Sequence, residues 1–100
     1  MKKKISILGA TGSIGITTLS VIDKKRNFFN IILLSSNKNF SLICKQIKKY
    51  KPKYYVINDI KIFEKVKKKF KKDNVKIMNF FNFKEKKIKS EIVISAIPGI

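Results

Sequence analysis

The chain predicts an α/β domain: a doubly wound, mostly parallel sheet with helices on both faces, a three-layer α/β/α arrangement. Three observations carry this. Short apolar runs alternate with amphipathic segments along all 100 residues. The apolar runs are near-continuous rather than alternating, as strands are when both faces are covered. The first of them runs straight into closely spaced glycines.

Lys3–Leu8 is the first predicted strand, and Ser13–Lys24 the helix that follows. Phe29–Ser35 (FNIILLS) reads as the second strand and Phe40–Tyr50 as the second helix. Pro52 cannot continue that helix and hands the chain to a third strand, Lys53–Ile57. In Ile60–Phe70, the residues Ile62, Phe63, Val66 and Phe70 recur at helical spacing and leave the lysines outward. Val75–Asn79 and Ile92–Ala96 are the last two strands. Asn79–Ser90 is short for a crossover helix and reads as a single helical turn or a loop. Asp59 and Glu64 fall at the start of the third helix, where acids complement the dipole.

The stretch Ile5–Gly15, ISILGATGSIG, places Gly9, Gly12 and Gly15 at a strand-to-helix turn. This is the form of a Rossmann-like diphosphate site. Gly9 turns the chain off the strand, Gly12 lets the backbone approach a pyrophosphate, and Gly15 lets the helix pack closely. The unpaired N–H groups at the helix start would face phosphate oxygens, with the Thr11 and Ser13 hydroxyls as further donors. The alternative is a tight turn that binds nothing.

The end of the second strand bears on the cofactor. A site for NAD places an acid there, to accept hydrogen bonds from the ribose 2′-hydroxyl. Here the stretch reads Ser35-Ser36-Asn37-Lys38-Asn39, with no acid, and Asp23 is the only carboxylate side chain before Asp59. A lysine among hydroxyls and amides suits a 2′-phosphate, so NADPH is favoured over NADH. An ordinary polar turn is the competing reading.

LGATGSIG with Thr18-Leu19 and Val21-Ile22, then Asn37-Lys38-Asn39, KPKYYVI (Lys51–Ile57) and SAIPG (Ser95–Gly99) resembles 1-deoxy-D-xylulose 5-phosphate reductoisomerase. The resemblance runs in order through the chain. It implies the NADPH-binding portion of an enzyme that rearranges and reduces 1-deoxy-D-xylulose 5-phosphate to 2-C-methyl-D-erythritol 4-phosphate in the non-mevalonate isoprenoid pathway. It further implies that Thr11, Gly12, Ser13 and Ile14 meet the cofactor phosphates and that Asn37, Lys38 and Asn39 meet the adenosine end. Asn37 stands where the family has glycine, which Asn tolerates because it enters positive φ readily. Ala10 replaces a serine and removes one hydroxyl. Pro98 interrupts the segment after the last strand. The family's divalent metal (Mg or Mn) and its substrate clamp lie downstream in such enzymes, and the full-length enzyme is expected to be a homodimer. Residues 1–100 therefore read as an NADPH-binding domain cut before its catalytic and C-terminal domains, with no catalytic or metal-ligating residue of its own and inactive alone.

Composition supports this. The chain has no histidine and six acids, Asp23, Asp59, Glu64, Asp73, Glu85 and Glu91, none spaced as a metal site. Cys44, the single cysteine, has no disulfide partner and reads as a small buried residue. The Lys2–Lys4 cluster is followed by too short an apolar run for a signal peptide, and no stretch reaches transmembrane length, so a cytoplasmic protein without membrane partners is expected. A formal charge of +18 raises a rival reading, a basic nucleotide- or nucleic-acid-binding module. Against it, Arg26 is the only arginine, and the aromatics fall at core positions rather than among exposed bases. No specific nucleic-acid partner is expected. The other alternative, an NADP-dependent oxidoreductase similar to aspartate-semialdehyde dehydrogenase, shares the G-A-T-G turn but is disfavoured by the order of the later motifs.

Overall fold

The computed structural model describes residues 2–79 and 92–95. Its elements are β1 (Lys3–Leu8), α1 (Ser13–Asp23), β2 (Phe29–Ser36), α2 (Phe40–Tyr50), β3 (Tyr54–Ile57), α3 (Ile60–Lys69), β4 (Lys76–Asn79) and β5 (Ile92–Ser95). These match the expected elements to within a residue at each described end, the scale on which helix and strand ends fray. The expected turn or loop after Asn79 and the path around Pro98 lie outside the described residues.

All five strands are parallel, in the order β4-β3-β2-β1-β5. The chain steps outward from β1 to β4 and then returns to the other side of β1. That reversal is a topological switch point, and ligands of such sheets bind outside the carboxyl ends of the strands there. The turn after β1 stands at this place.

Leu19 and Ile22 of α1, Ile43 and Ile47 of α2, and Val66 of α3 share one core with Ile5, Ile7, Ile31, Leu34, Tyr55 and Ile57 of the sheet. A second cluster consists of strand residues: Ile32, Leu33, Val56 and Met78, with Leu8 and Tyr54. Helices α1–α3 and the sheet thus supply two layers; the expected third layer lies outside the described residues. Register between β1 and β2 slips after Ile5–Ile31, so that Ser6 faces Leu33 and Ile32 is the extra residue of a bulge.

Local signals set the helix ends. Asn39 Oδ1 accepts from Leu42 N at 3.2 Å and Asp59 Oδ1 accepts from Ile62 N at 3.1 Å, so α2 and α3 carry side-chain N-caps. Glu64 does not share this role: it is exposed in the second turn of α3, and the first turn holds no acid. After α2, Lys51 adopts the left-handed conformation (φ 47°) and Pro52 follows, which stops the helix.

Two features hold α1 and the turn in place. Gly15 is buried, and a Cβ there would collide with the Gly9 carbonyl oxygen and stand 2.8 Å from Ala10 Cα. Below the turn runs a buried polar chain. Gln46 Nε2 donates to the Ala10 carbonyl at 2.7 Å, and Gln46 Oε1 accepts from the Tyr55 hydroxyl at 2.6 Å. The Tyr55 oxygen also lies 3.2 Å from Ser36 Oγ. With one phenolic proton, given to Gln46, the tyrosine receives the Ser36 proton. The chain joins the turn, α2, β3 and β2.

Two outcomes follow from this packing. Gly15→Ala is expected to destabilise the fold by about 2 kcal/mol or more in denaturant melts, because the blocking atoms are backbone. Tyr55→Phe should destabilise by roughly 1–3 kcal/mol, since Gln46 and Ser36 each lose a buried partner. Burial pushes the Tyr55 phenol above its ordinary value, with Cys44 adding to the rise and the Ser36 hydrogen bond opposing it. The unfolded chain therefore ionises this phenol first, near about pH 10. Its stabilising contribution is complete below that pH and declines above it, by up to about 1.4 kcal/mol per pH unit. The stability difference between wild type and Tyr55→Phe should accordingly shrink in urea melts between about pH 10 and 11; a constant difference contradicts the buried phenol.

Candidate functional site

Gly9 leaves β1 at φ 78°, a conformation open to glycine and strained for other residues. Its N–H donates to Ser35 Oγ at 3.2 Å, and Ala10 N donates to the Ser35 carbonyl at 2.7 Å. The turn closes with Gly12 N donating to the Gly9 carbonyl at 3.2 Å. Gly12 is the N-cap of α1, extended at φ −77° and ψ 169°, and makes no side-chain cap bond. The Gly12 carbonyl accepts from Ile16 N at 2.9 Å. The N–H groups of Ser13, Ile14 and Gly15 therefore precede the first intrahelical donor, and the first turn contains no acid. Ser13 and Ile14 are exposed, Ile14 at 62%, while Thr11 and Gly12 are half-buried. A helix end of this kind favours an anion through its oriented N–H groups and the dipole.

The Thr17 and Thr18 hydroxyls are directed back into α1, donating to the Ser13 and Ile14 carbonyls at 3.0 and 2.8 Å. Ala10 is fully buried in the core. The hydroxyl removed by alanine at this position would therefore lie in the core.

The β2 end lies beside the turn through the Ser35 bonds. Beyond it, Asn37, Lys38 and Asn39 are all exposed. The Asn37 carbonyl accepts from Asp59 N at 3.0 Å, and the Ser36 carbonyl from Asn58 N at 3.1 Å, which pins this loop to the start of α3. Asn37 is not among the residues with positive φ, so the tolerance invoked for it at a glycine position is not needed. Asn39 commits its side-chain oxygen to the α2 cap, leaving the amide N–H groups for other partners. Asp23 does not approach this end; it pairs with Arg26 and Lys49, each at 3.7 Å. Lysine 38 is thus the charged side chain of an acid-free loop.

The structure brings two groups of expected residues, 11–14 and 37–39, to the carboxyl ends of adjacent strands. It adds supports that the sequence reading did not single out, Gln46 and Tyr55, and gives Ser35 and Ser36, expected as hydroxyls beside Lys38, bonds to Gly9 N and the Tyr55 hydroxyl. A signal existed for Gln46, which occupies a core position in the spacing Ile43, Gln46, Ile47, Tyr50. Two grooves, of about 660 and 370 Å³, lie elsewhere and include Lys51–Lys53, Phe70 and Val75 among their linings. Among the described residues there is no group of three or more His, Cys, Asp or Glu side chains that could hold a metal, and no helix is long and apolar enough to cross a membrane.

Comparison with known proteins agrees with this geometry. The family model for 1-deoxy-D-xylulose 5-phosphate reductoisomerase matches residues 5–100. The reductoisomerase of Clostridium novyi is 48% identical over 75 residues, covering 75% of this chain and 20% of its own. That of Buchnera aphidicola subsp. Schizaphis graminum is 36% identical over 107 aligned residues, covering 98% of this chain and 26% of its own. A solved Zymomonas mobilis reductoisomerase in complex with NADPH superposes with a TM-score of 0.74 at 28% identity, over 79% of this chain and 21% of that one. The chain spans about a fifth to a quarter of these relatives' length. A family match from β1 onward, an uncapped helix start at the switch point and an acid-free β2 end converge: this chain belongs to the 1-deoxy-D-xylulose 5-phosphate reductoisomerase family.

Proposed function

We propose that residues 1–100 form an NADPH-binding domain serving the reductive isomerisation of 1-deoxy-D-xylulose 5-phosphate to 2-C-methyl-D-erythritol 4-phosphate. The observation that carries this is the pairing of an uncapped α1 start with an exposed lysine in an acid-free loop after β2. The N–H groups of Ser13 and Ile14 and the Thr11 and Ser13 hydroxyls hold the pyrophosphate, and Gly12 keeps its approach clear of side chains. Lys38 meets the adenosine 2′-phosphate, flanked by the Asn37 and Asn39 amides. When bound, NADPH supplies the hydride that reduces the rearranged carbonyl. The chain's own part is binding and orientation.

A divalent metal, Mg or Mn, and the sugar-phosphate clamp belong to the rest of the enzyme, which works in the cytoplasm as a homodimer. The chain alone binds cofactor and does not turn over substrate.

Titration by cofactor fluorescence should give saturable NADPH binding, about tenfold or more tighter than NADH. Lys38→Gln is expected to erode that preference. Gly12→Ala should melt close to wild type, because its backbone suits any residue, yet weaken both cofactors to a similar extent. A folded chain that binds neither cofactor defeats the proposal, as does turnover by the chain alone.

A further inference from the structure

Phe40 opens α2 directly after the Asn37–Asn39 loop, and two ammonium groups of α3 converge on its ring. Lys65 Nζ lies 5.7 Å from the ring centroid and Lys69 Nζ 5.6 Å. Residues 65 and 69 are one helical turn apart, a spacing at which like charges destabilise a free helix. The ion pairs among the described residues involve Asp23 with Arg26 and Lys49, so no described carboxylate neutralises either lysine. The loop is tied to the start of α3 by the bond from Asp59 N to the Asn37 carbonyl. Lys38 is two residues before Phe40, so their Cα atoms are separated by at most about 7.6 Å. Two ammonium groups therefore meet at Phe40, and the exposed Lys38 stands two residues before it, next to the place assigned to a phosphomonoester.

We infer that Lys65 and Lys69 are specificity-determining residues that complete, with Lys38, a subsite for the adenosine 2′-phosphate. This rests on the dinucleotide reading above. A phosphomonoester carries about −1.5 to −2 charges near neutral pH and relieves the repulsion between the two α3 lysines as it binds. Lys67, by contrast, stands over Phe63 of its own helix at 5.5 Å and not over Phe40. Lysine density alone does not single out 65 and 69; their convergence on Phe40 does.

The test compares wild type, Lys65→Gln/Lys69→Gln and the equally charged control Lys67→Gln/Lys68→Gln. Each is titrated with NADPH, NADH and adenosine 2′,5′-bisphosphate at fixed salt, with circular dichroism melts confirming the fold. The 65/69 pair should lose roughly tenfold in affinity for the two 2′-phosphorylated ligands and less than about twofold for NADH. The 67/68 control should keep the wild-type ratio of NADPH to NADH affinity. An unchanged ratio in the 65/69 variant, or the same change in both variants, overturns the inference while leaving NADPH binding intact. Wild type that binds the bisphosphate through these lysines but not NADPH keeps the subsite and rejects the dinucleotide reading. Wild type that binds none of the three ligands rejects both.

Discussion

The Gln46 side chain is the constraint on which the candidate site depends. Its amide has one donor and one acceptor engaged inside the core, at 2.7 Å to the Ala10 carbonyl and 2.6 Å from the Tyr55 hydroxyl. The peptide after β1 cannot rotate without leaving a buried polar group unpaired. Because Ala10 lies between Gly9 and the start of α1, the same bond fixes the direction in which the helix N–H groups point. Gly15 fixes the remaining freedom by bringing α1 into backbone contact with the turn. The orientation of the α1 start thus depends on Gln46 and Gly15, which lie outside the residues proposed to meet the cofactor.

The sequence made the elements legible because each had a strong local cause. Ile62, Phe63, Val66 and Phe70 marked the inner face of α3, and Pro52 marked the end of α2. Gly9 and Gly15 perform the turning and close-packing roles expected of them. The contacts supporting the site were less legible because they join residues far apart in the chain: Ser35 to Gly9, Gln46 to Ala10, Tyr55 to Ser36. Asn39 shows a different limit. Its residue type suits both a helix cap and a ligand amide, and only the fold shows that its oxygen is occupied by Leu42 N.

The excess of positive charge has a local counterpart in the packing. With few carboxylates available, cations stand over aromatic rings: Arg26 and Lys49 at Tyr50, Lys53 at Tyr54, and α3 lysines at Phe40 and Phe63. Such contacts at exposed positions are worth about 0.5–1 kcal/mol each. Helix α1 departs from this pattern, since residues 13–22 carry no charged side chain. The helix that presents its N-terminus at the switch point therefore adds no side-chain charge there, and its backbone dipole acts with little local competition.

The bulge at Ile32 sets the parity of β2. Ile31 belongs to the helix-covered core, Ile32 and Leu33 both belong to the second cluster, and Leu34 returns to the first. Alternation counted upward from Phe29 would assign Ser35 to the helix side and Ser36 to the opposite side. The inserted residue exchanges those assignments. Ser35 instead stands beside Val56, on the second-cluster side, and reaches Gly9 N; Ser36 stands beside Ile57 and reaches Tyr55. Two adjacent, chemically identical side chains thereby serve opposite faces, and their division of labour is decided by a phase shift three residues before the first of them.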